Sequence, residues 1–226
     1  NSAMRCWGAT VIEHGADFDT AKHEAHRAAA QSGLHFVPSF HRDLVLGVAS
    51  YALEFLRALP DLATIYVGVG MGSGICGLIL VRDLLGLSTR IVGVSAANAP
   101  ATARSFVAGR VVNTASALTF ADGIATREPD AGAVAMICRG AERVVELDED
   151  EIAVAMRAYF DDAHQVAEGA GAAPLAALLR EGAALAGRRV GVILSGGNIE
   201  RARYLQVLAG GVDAWAAKID TSLPRY

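Results

Sequence analysis

The sequence predicts an α/β fold: a mostly parallel sheet flanked by helices, preceded by the remnant of a smaller α/β domain. Three observations carry that prediction. Strand-like and helix-like segments alternate along nearly the whole chain, and such alternation builds right-handed βαβ units. Two apolar runs, 65–69 (IYVGV) and 189–194 (RVGVIL), lack the polar/apolar alternation of a half-exposed strand and read as fully buried parallel strands. Of the 226 residues, 53% are hydrophobic but only 6% aromatic, so the core has to be built from Ala, Val, Leu and Ile.

The elements follow in order. Residues Ala3 to Trp7 read as the last turns of a helix without a beginning, so Asn1 is expected to be a cut and the functional protein to extend upstream. Residues 10–14 (TVIEH) read as a short strand. Asp17 or Asp19 can cap a helix over 20–31, which Gly33 ends. Residues 34–38 read as a second short strand, and 44–59 as a helix stopped by Pro60. Then come the strand 65–69, a helix over 75–85, a strand over 90–94 and a helix over 100–108. Periodicity fails from Gly109 to Thr126, which predicts a long irregular loop, and such loops are often functional. A helix over 130–140, a strand over 143–147, helices over 148–165 and 170–186, the strand 189–194 and a helix over 198–209 complete the chain. The expected domain division is 1–43 for the small domain, 44–210 for the large one and 211–226 for a tail. With no regulatory domain expected after Gly211, control by amino-acid effectors is not expected either.

Composition narrows the function. A net charge of -4 leaves no electrostatic footprint for nucleic acid or an anionic membrane. No apolar stretch reaches membrane-spanning length, and no signal peptide is recognisable. Cys6, Cys76 and Cys138 are far apart and odd in number, which suits reduced thiols in a cytoplasmic protein.

Two glycine-rich turns carry the functional signal: Val69-Gly70-Met71-Gly72-Ser73-Gly74-Ile75 and Leu194-Ser195-Gly196-Gly197-Asn198. Each follows a strand and is expected to open into a helix. Glycines let backbone N–H groups approach an oxyanion, and a helix start adds unpaired donors and the positive end of its dipole. The first turn is read as an anion site. Gly72, Gly74 and Gly77 match G-x-G-x-x-G, but the following strand ends Gly93-Val94-Ser95-Ala96-Ala97-Asn98 without the carboxylate that would hold a ribose. No Gly-Lys-Ser/Thr follows either, so a single phosphate fits better than a dinucleotide.

Four ordered motifs then resemble the fold-type II pyridoxal-phosphate (PLP) enzymes of the serine/threonine dehydratase family. They are Val67 to Gly74, Ala121-Asp122-Gly123-Ile124-Ala125, Val166 to Ala172, and Leu194 to Asn198. The stretch from Gly8 to Asp19 is similar to the end of that family's small domain. The resemblance implies pyridoxal 5'-phosphate as cofactor, with Gly70, Met71, Gly72, Ser73 and Gly74 around its phosphate. It implies Ser195 on the pyridine nitrogen, and Gly123 as a backbone contact. Glu168 is either an acid near the ring or the cap of the following helix. The implied reaction is β-elimination on L-threonine or L-serine, giving a 2-oxo acid and ammonia, in a homodimer or homotetramer. A hydroxy-amino-acid racemase and a 3-hydroxyaspartate dehydratase are the alternatives within the class; a lysine-less, non-enzymatic ligand-binding protein is the alternative outside it.

The chain departs from the family at three points. The Schiff-base lysine motif Ser-x-Lys-x-Arg-Gly-Ala and the Ser-x-Gly-Asn loop are absent, and the only lysines are Lys22, read as lying on an exposed helix face, and Lys218 in the tail. No catalytic residue is therefore assigned within the chain. Met71 stands where glycine is usual, so its side chain has to point away from the phosphate. Ser95 stands where cation-binding relatives carry glutamate, and no metal site is expected. Minor candidates read as ordinary structure: Ser39 as a turn, His23 and His26 as a solvated helix face, Asp148 to Glu151 as a negatively charged helix start, and His164 as packing.

Overall fold

The computed structural model describes residues 2–210; the expected tail and Lys218 lie outside the described residues. The chain divides into two compact units, one ending at Ser39 and the next beginning at Phe40.

The first unit holds two helices, α1 (Ser2–Cys6) and α2 (Phe18–Ser32). Asp17 caps α2 by accepting from the Thr20 N–H, and Gly33 ends it with φ +64°, a left-handed C-cap that glycine takes without strain. Neither 10–14 nor 34–38 is a strand. Their composition suits β-structure, but an extended segment becomes a strand only when a neighbour takes its backbone donors and acceptors. Neither segment is paired in this way among the described residues. Lys22 is not on an exposed face: its ammonium pairs with Asp19 at 2.6 Å, the two side chains being 19% and 1% exposed.

The second unit is built on four parallel strands: β1 (Thr64–Gly68), β2 (Arg90–Ala96), β3 (Arg143–Leu147) and β4 (Val190–Val192), in the order β3-β2-β1-β4. The helices are α3 (Arg42–Ala58), α4 (Ser73–Leu84), α5 (Ala101–Ala108), α6 (Ala131–Gly140), α7 (Glu149–Ala163), α8 (Gly169–Glu181) and α9 (Arg201–Leu208). Side chains alternate across a strand, and β1 uses both faces. Ile65 and Val67 join Ile91 in one core with α3, α4 and α6, whereas Tyr66 joins Val92 and Val94 in another with α7, α8 and α9. Each fully buried Ile or Val contributes about 1.5–3 kcal/mol relative to its exposed state, so both layers are held to the sheet.

Two sequence expectations need correction. The run 189–194 is not fully buried, because β4 is the sheet's edge among the described residues, with only Gly191 of its three residues buried. Its apolar residues pack on both helix-covered faces of the sheet, Val190, Val192 and Leu194 on one and Ile193 on the other, and not against a second strand neighbour. The second glycine turn does not open into a helix, since α9 begins only at Arg201. Helix α7 starts with a capping box: Asp148 accepts from the Glu151 N–H, and the Glu151 side chain accepts from the Asp148 N–H.

Candidate functional site

Strands β1 and β4 are neighbours, with Tyr66 opposite Val192 and the Ile193 N–H donating to the Tyr66 carbonyl at 3.1 Å. Because they run in the same direction, the turns that follow them stand side by side at the carboxyl end of the sheet, where open parallel sheets bind ligands. Both turns line one cleft of about 550 Å³, together with Gly123, Val48 and Tyr51. That volume suits a small organic molecule.

Within the first turn, the residues have distinct physical tasks. A Cβ on Gly70 would lie under 3.0 Å from the Gly123 carbonyl oxygen, so glycine at 70 lets two backbones touch. Gly72 has φ +100°, and a Cβ there would lie 2.9 Å from the Ala133 methyl. Met71 keeps an ordinary negative φ and is half-buried, so a side chain stands there without backbone strain. Ser73 and Gly74 open α4, and Gly72 at its N-cap supplies no side-chain acceptor. The first-turn N–H groups of α4 are thus left for a ligand, with the positive end of the helix dipole behind them. A Cβ on Gly74 would make ordinary contacts, at 3.9 Å with the Tyr51 hydroxyl and with Val67, so nothing forbids a side chain there on packing grounds.

Gly123 sits in a single 3-10 turn, Asp122–Ile124, the only regular structure in the otherwise irregular 109–126 segment. It packs against α8: a Cβ on Gly123 would lie 2.8 Å from the Ala170 methyl and 3.6 Å from Glu168 Oε1. The segment is fastened by Glu149, whose carboxylate accepts from the Thr119 hydroxyl and the Phe120 N–H, each at 3.1 Å, and from Asn98 Nδ2 at 3.3 Å. Burial pushes the Glu149 carboxyl above its ordinary range, against the pull of these three donors. Reading the sequence missed this residue. Its partners lie 29 to 51 positions away, and the acidic run containing it looks like a simple helix start.

In the second turn Ser195 is exposed on the cleft, while its glycines are there for close approach. A Cβ on Gly197 would lie under 3.0 Å from the Val166 carbonyl oxygen, and one on Gly196 would lie 2.5 Å from Glu168 Oε1. Glu168 occupies the N-cap position of α8 but makes no side-chain cap. Its Oε2 instead accepts from the Asn198 N–H at 3.0 Å, and its own N–H donates to the Gly196 carbonyl at 3.2 Å. Burial and then the Asp122 charge raise its pKa, which the Asn198 N–H opposes. Glu168 therefore stitches the second turn to α8 and faces Gly123.

Tyr51, on α3, was also missed by sequence reading. It lines the cleft, donates to the Gly74 carbonyl at 3.3 Å, and is pushed up to about 12 by burial. The minor candidates fall elsewhere. Ser39 lies in a bend closing the first unit. Ser95 is buried within β2, its hydroxyl donating to the Val145 carbonyl at 3.5 Å. His23 and His26 are both exposed on α2, as expected, with the His26 ring 4.1 Å from the Phe36 ring. His164 is not packing: it is exposed, in a left-handed conformation (φ 54°), and ends α7. Among the described residues no group of three His, Cys, Asp or Glu is placed to hold a metal, and no helix is long and apolar enough to cross a membrane.

The residues present fit pyridoxal phosphate. Phosphate matches the uncapped start of α4, Ser195 offers a neutral hydroxyl one strand away, and Gly123 lines the same cleft. Comparison with known proteins gives the same family. A family model described as "Pyridoxal-phosphate dependent enzyme" matches residues 1–196. The L-threonine ammonia-lyase of Geobacter sulfurreducens is 39% identical over 200 residues, which cover 88% of this chain and 50% of that enzyme. A putative threonine dehydratase of Sinorhizobium fredii is 34% identical over 216 residues, covering 94% of this chain and 65% of that protein. Among solved structures, the processed form of threonine deaminase isoform 2 from Solanum lycopersicum superposes with a TM-score of 0.84 at 26% identity, covering 93% of this chain and 63% of that one. The chain spans about half the length of the first of these relatives. With the family model matching residues 1–196 and a solved relative sharing its fold, the chain belongs to the pyridoxal-phosphate dependent enzymes of fold type II.

Proposed function

We propose that the protein carrying this chain is a dehydratase that removes the β-hydroxyl and the amino group of L-threonine or L-serine, releasing a 2-oxo acid and ammonia. The observation that carries the reading is the pair of turns: a donor-rich helix start and a neutral serine hydroxyl, on adjacent strands, facing one cleft. The names of the sequence relatives support the substrate class. When bound, pyridoxal phosphate supplies an electron-withdrawing ring that lets an amino acid lose its Cα proton.

The chain's residues set what that ring can do. Backbone N–H groups from Gly72 to Gly74, with the Ser73 side chain beside them, would hold the phosphate, and Gly70 and Met71 complete the turn. Gly123 would border the cofactor through its backbone, with Glu168 behind it. Ser195 would hydrogen-bond the pyridine nitrogen. A neutral hydroxyl does not keep that nitrogen protonated as a carboxylate would, so charge at Cα is less delocalised and prompt loss of the β-hydroxyl is favoured over transamination. The lysine that the family uses as its base is not supplied by Lys22, which is paired with Asp19 inside the first unit.

A homodimer or homotetramer and a cytoplasmic location belong to the same proposal. Exposed apolar side chains, Phe160 at 43% and Leu205 at 58%, support association, and three free thiols suit a reducing compartment. Incubation of the purified full-length protein with L-threonine and L-serine is expected to release 2-oxo acid and ammonia in equal amounts. Formation of D-serine without oxo acid would move the assignment to a racemase, and turnover of neither substrate would refute it.

A further inference from the structure

We propose that the Tyr51 hydroxyl is a side-chain donor to the phosphate of the cofactor, closing an anion site otherwise made of backbone N–H groups and Ser73. The inference rests on the reading of the first glycine turn as the phosphate cradle. Tyr51 reaches that turn from α3, a different element from the strand and helix that flank it. Its hydroxyl lies 3.9 Å from where a Cβ on Gly74 would be, at the same distance as Val67 Cγ2. Tyr51 therefore lines the cleft beside the cradle, with its hydroxyl next to Gly74.

Its present bond is a poor one. The 3.3 Å separation from the Gly74 carbonyl is long for an O–H donor, whose usual distance is about 2.7–2.8 Å. That carbonyl also belongs to the first turn of α4, where helix geometry already assigns it a partner four residues on. An ionised phosphate is a stronger acceptor than a carbonyl that is already engaged. No lysine or arginine is among the described residues lining the cleft, so a phosphate there is met by neutral donors alone and each one matters. Burial keeps the phenol protonated, so it arrives as a donor and not as a second negative charge.

Pyridoxine 5'-phosphate and pyridoxine lack the aldehyde, so their binding reads the phosphate site without any bond to a lysine and without turnover. Dissociation constants for both are to be measured by equilibrium dialysis on the purified full-length protein stripped of cofactor, as wild type and as Tyr51→Phe. The phenyl ring retains the packing of the side chain. The expected result is that Tyr51→Phe weakens pyridoxine 5'-phosphate by about tenfold, leaves pyridoxine unchanged, and shifts the ³¹P resonance of the bound phosphate. An unchanged preference for the phosphorylated ligand overturns the role of Tyr51 while leaving the cradle intact. Equal weakening of both ligands with a lower melting temperature shows a purely structural role and overturns it as well. A wild-type protein with no preference for the phosphorylated ligand overturns the cradle, and Tyr51 with it.

Discussion

Gly70 and Gly74 stand in one turn, yet alanine at the two positions is expected to do opposite things. At Gly70 a new methyl would lie under 3.0 Å from the Gly123 carbonyl oxygen. Ordinary C···O contacts are at about 3.3–3.6 Å, so the two backbone segments have to part by several tenths of an ångström or more. Neither can yield cheaply: Gly123 is backed by the Ala170 methyl, and Gly70 is continuous with β1. Overpacking against backbone costs about 1–3 kcal/mol, and the upper end applies here. For a unit of this size that is a fall of about 6–12 °C in melting temperature. At Gly74 the methyl meets nothing closer than 3.9 Å and sits in the first turn of α4. Replacing glycine by alanine in a helix stabilises by about 0.5–1 kcal/mol, so the cofactor-free protein is expected to melt about 1–4 °C higher. The same methyl would stand 3.9 Å from the Tyr51 hydroxyl at the edge of the cradle, and affinity for pyridoxine 5'-phosphate is expected to fall by about tenfold. Thermal unfolding of the cofactor-free variants, followed by ligand titration, separates the two effects. A Gly70→Ala protein as stable as wild type, or a Gly74→Ala protein that binds the phosphorylated ligand normally, would refute the division of labour within the turn.

Four further outcomes can be checked. Ser195→Asp is expected to protonate the pyridine nitrogen and divert turnover toward transamination, read as aminated cofactor formed per oxo acid; unchanged partitioning counts against the Ser195 assignment. Glu149→Gln removes a carboxyl whose folded pKa is raised above 4.5, the direction in which a group's favourable contribution is present at low pH and lost as pH rises through the folded value. Wild-type stability relative to Glu149→Gln is therefore expected to decline as pH rises past 4.5, and a difference independent of pH in urea unfolding would contradict this. Hydrogen exchange at Phe120 is expected to quicken in Glu149→Ala, because its N–H loses its acceptor. Asp148→Ala breaks the capping box of α7 and is expected to cost about 1 kcal/mol in urea unfolding, with no change in phosphate preference.

What could be read from the sequence depended on whether the information was local. Strand β1 and the helix after it were legible because IYVGV is apolar on both faces and the glycines after it punctuate the turn. Helix α7 was legible because its acidic start is a contiguous signal. The edge position of β4 was not, since strand order is a property of pairing and RVGVIL looks the same at an edge or in the middle. The segments 10–14 and 34–38 had strand composition without a strand partner. The site divides the same way: both turns announced themselves through glycine, whereas Tyr51 looked like one more apolar position on α3. Glu149 looked like one more acid in a run, its role set by Thr119, Phe120 and Asn98 arriving from elsewhere.

The two turns are alike in sequence and unlike in electrostatics, and that difference orients a ligand. The first leads at once into α4, so its backbone donors point into the cleft with no side-chain cap consuming them. The second leads into irregular chain until Arg201, so it does not itself open a helix; the helix start beside it, that of α8, carries the Glu168 carboxylate. Its Asn198 N–H is already taken by the Glu168 carboxylate, whose other oxygen lies against Gly196. A phosphate placed at the second turn would lose the α4 donors and face the Glu168 carboxylate; placed at the first, it meets N–H groups and hydroxyls. The ring nitrogen reverses that preference, because it needs a single neutral partner, and Ser195 is the hydroxyl the second turn offers. The orientation thus follows from where one glutamate spends its hydrogen bond, a fact that neither glycine motif contains.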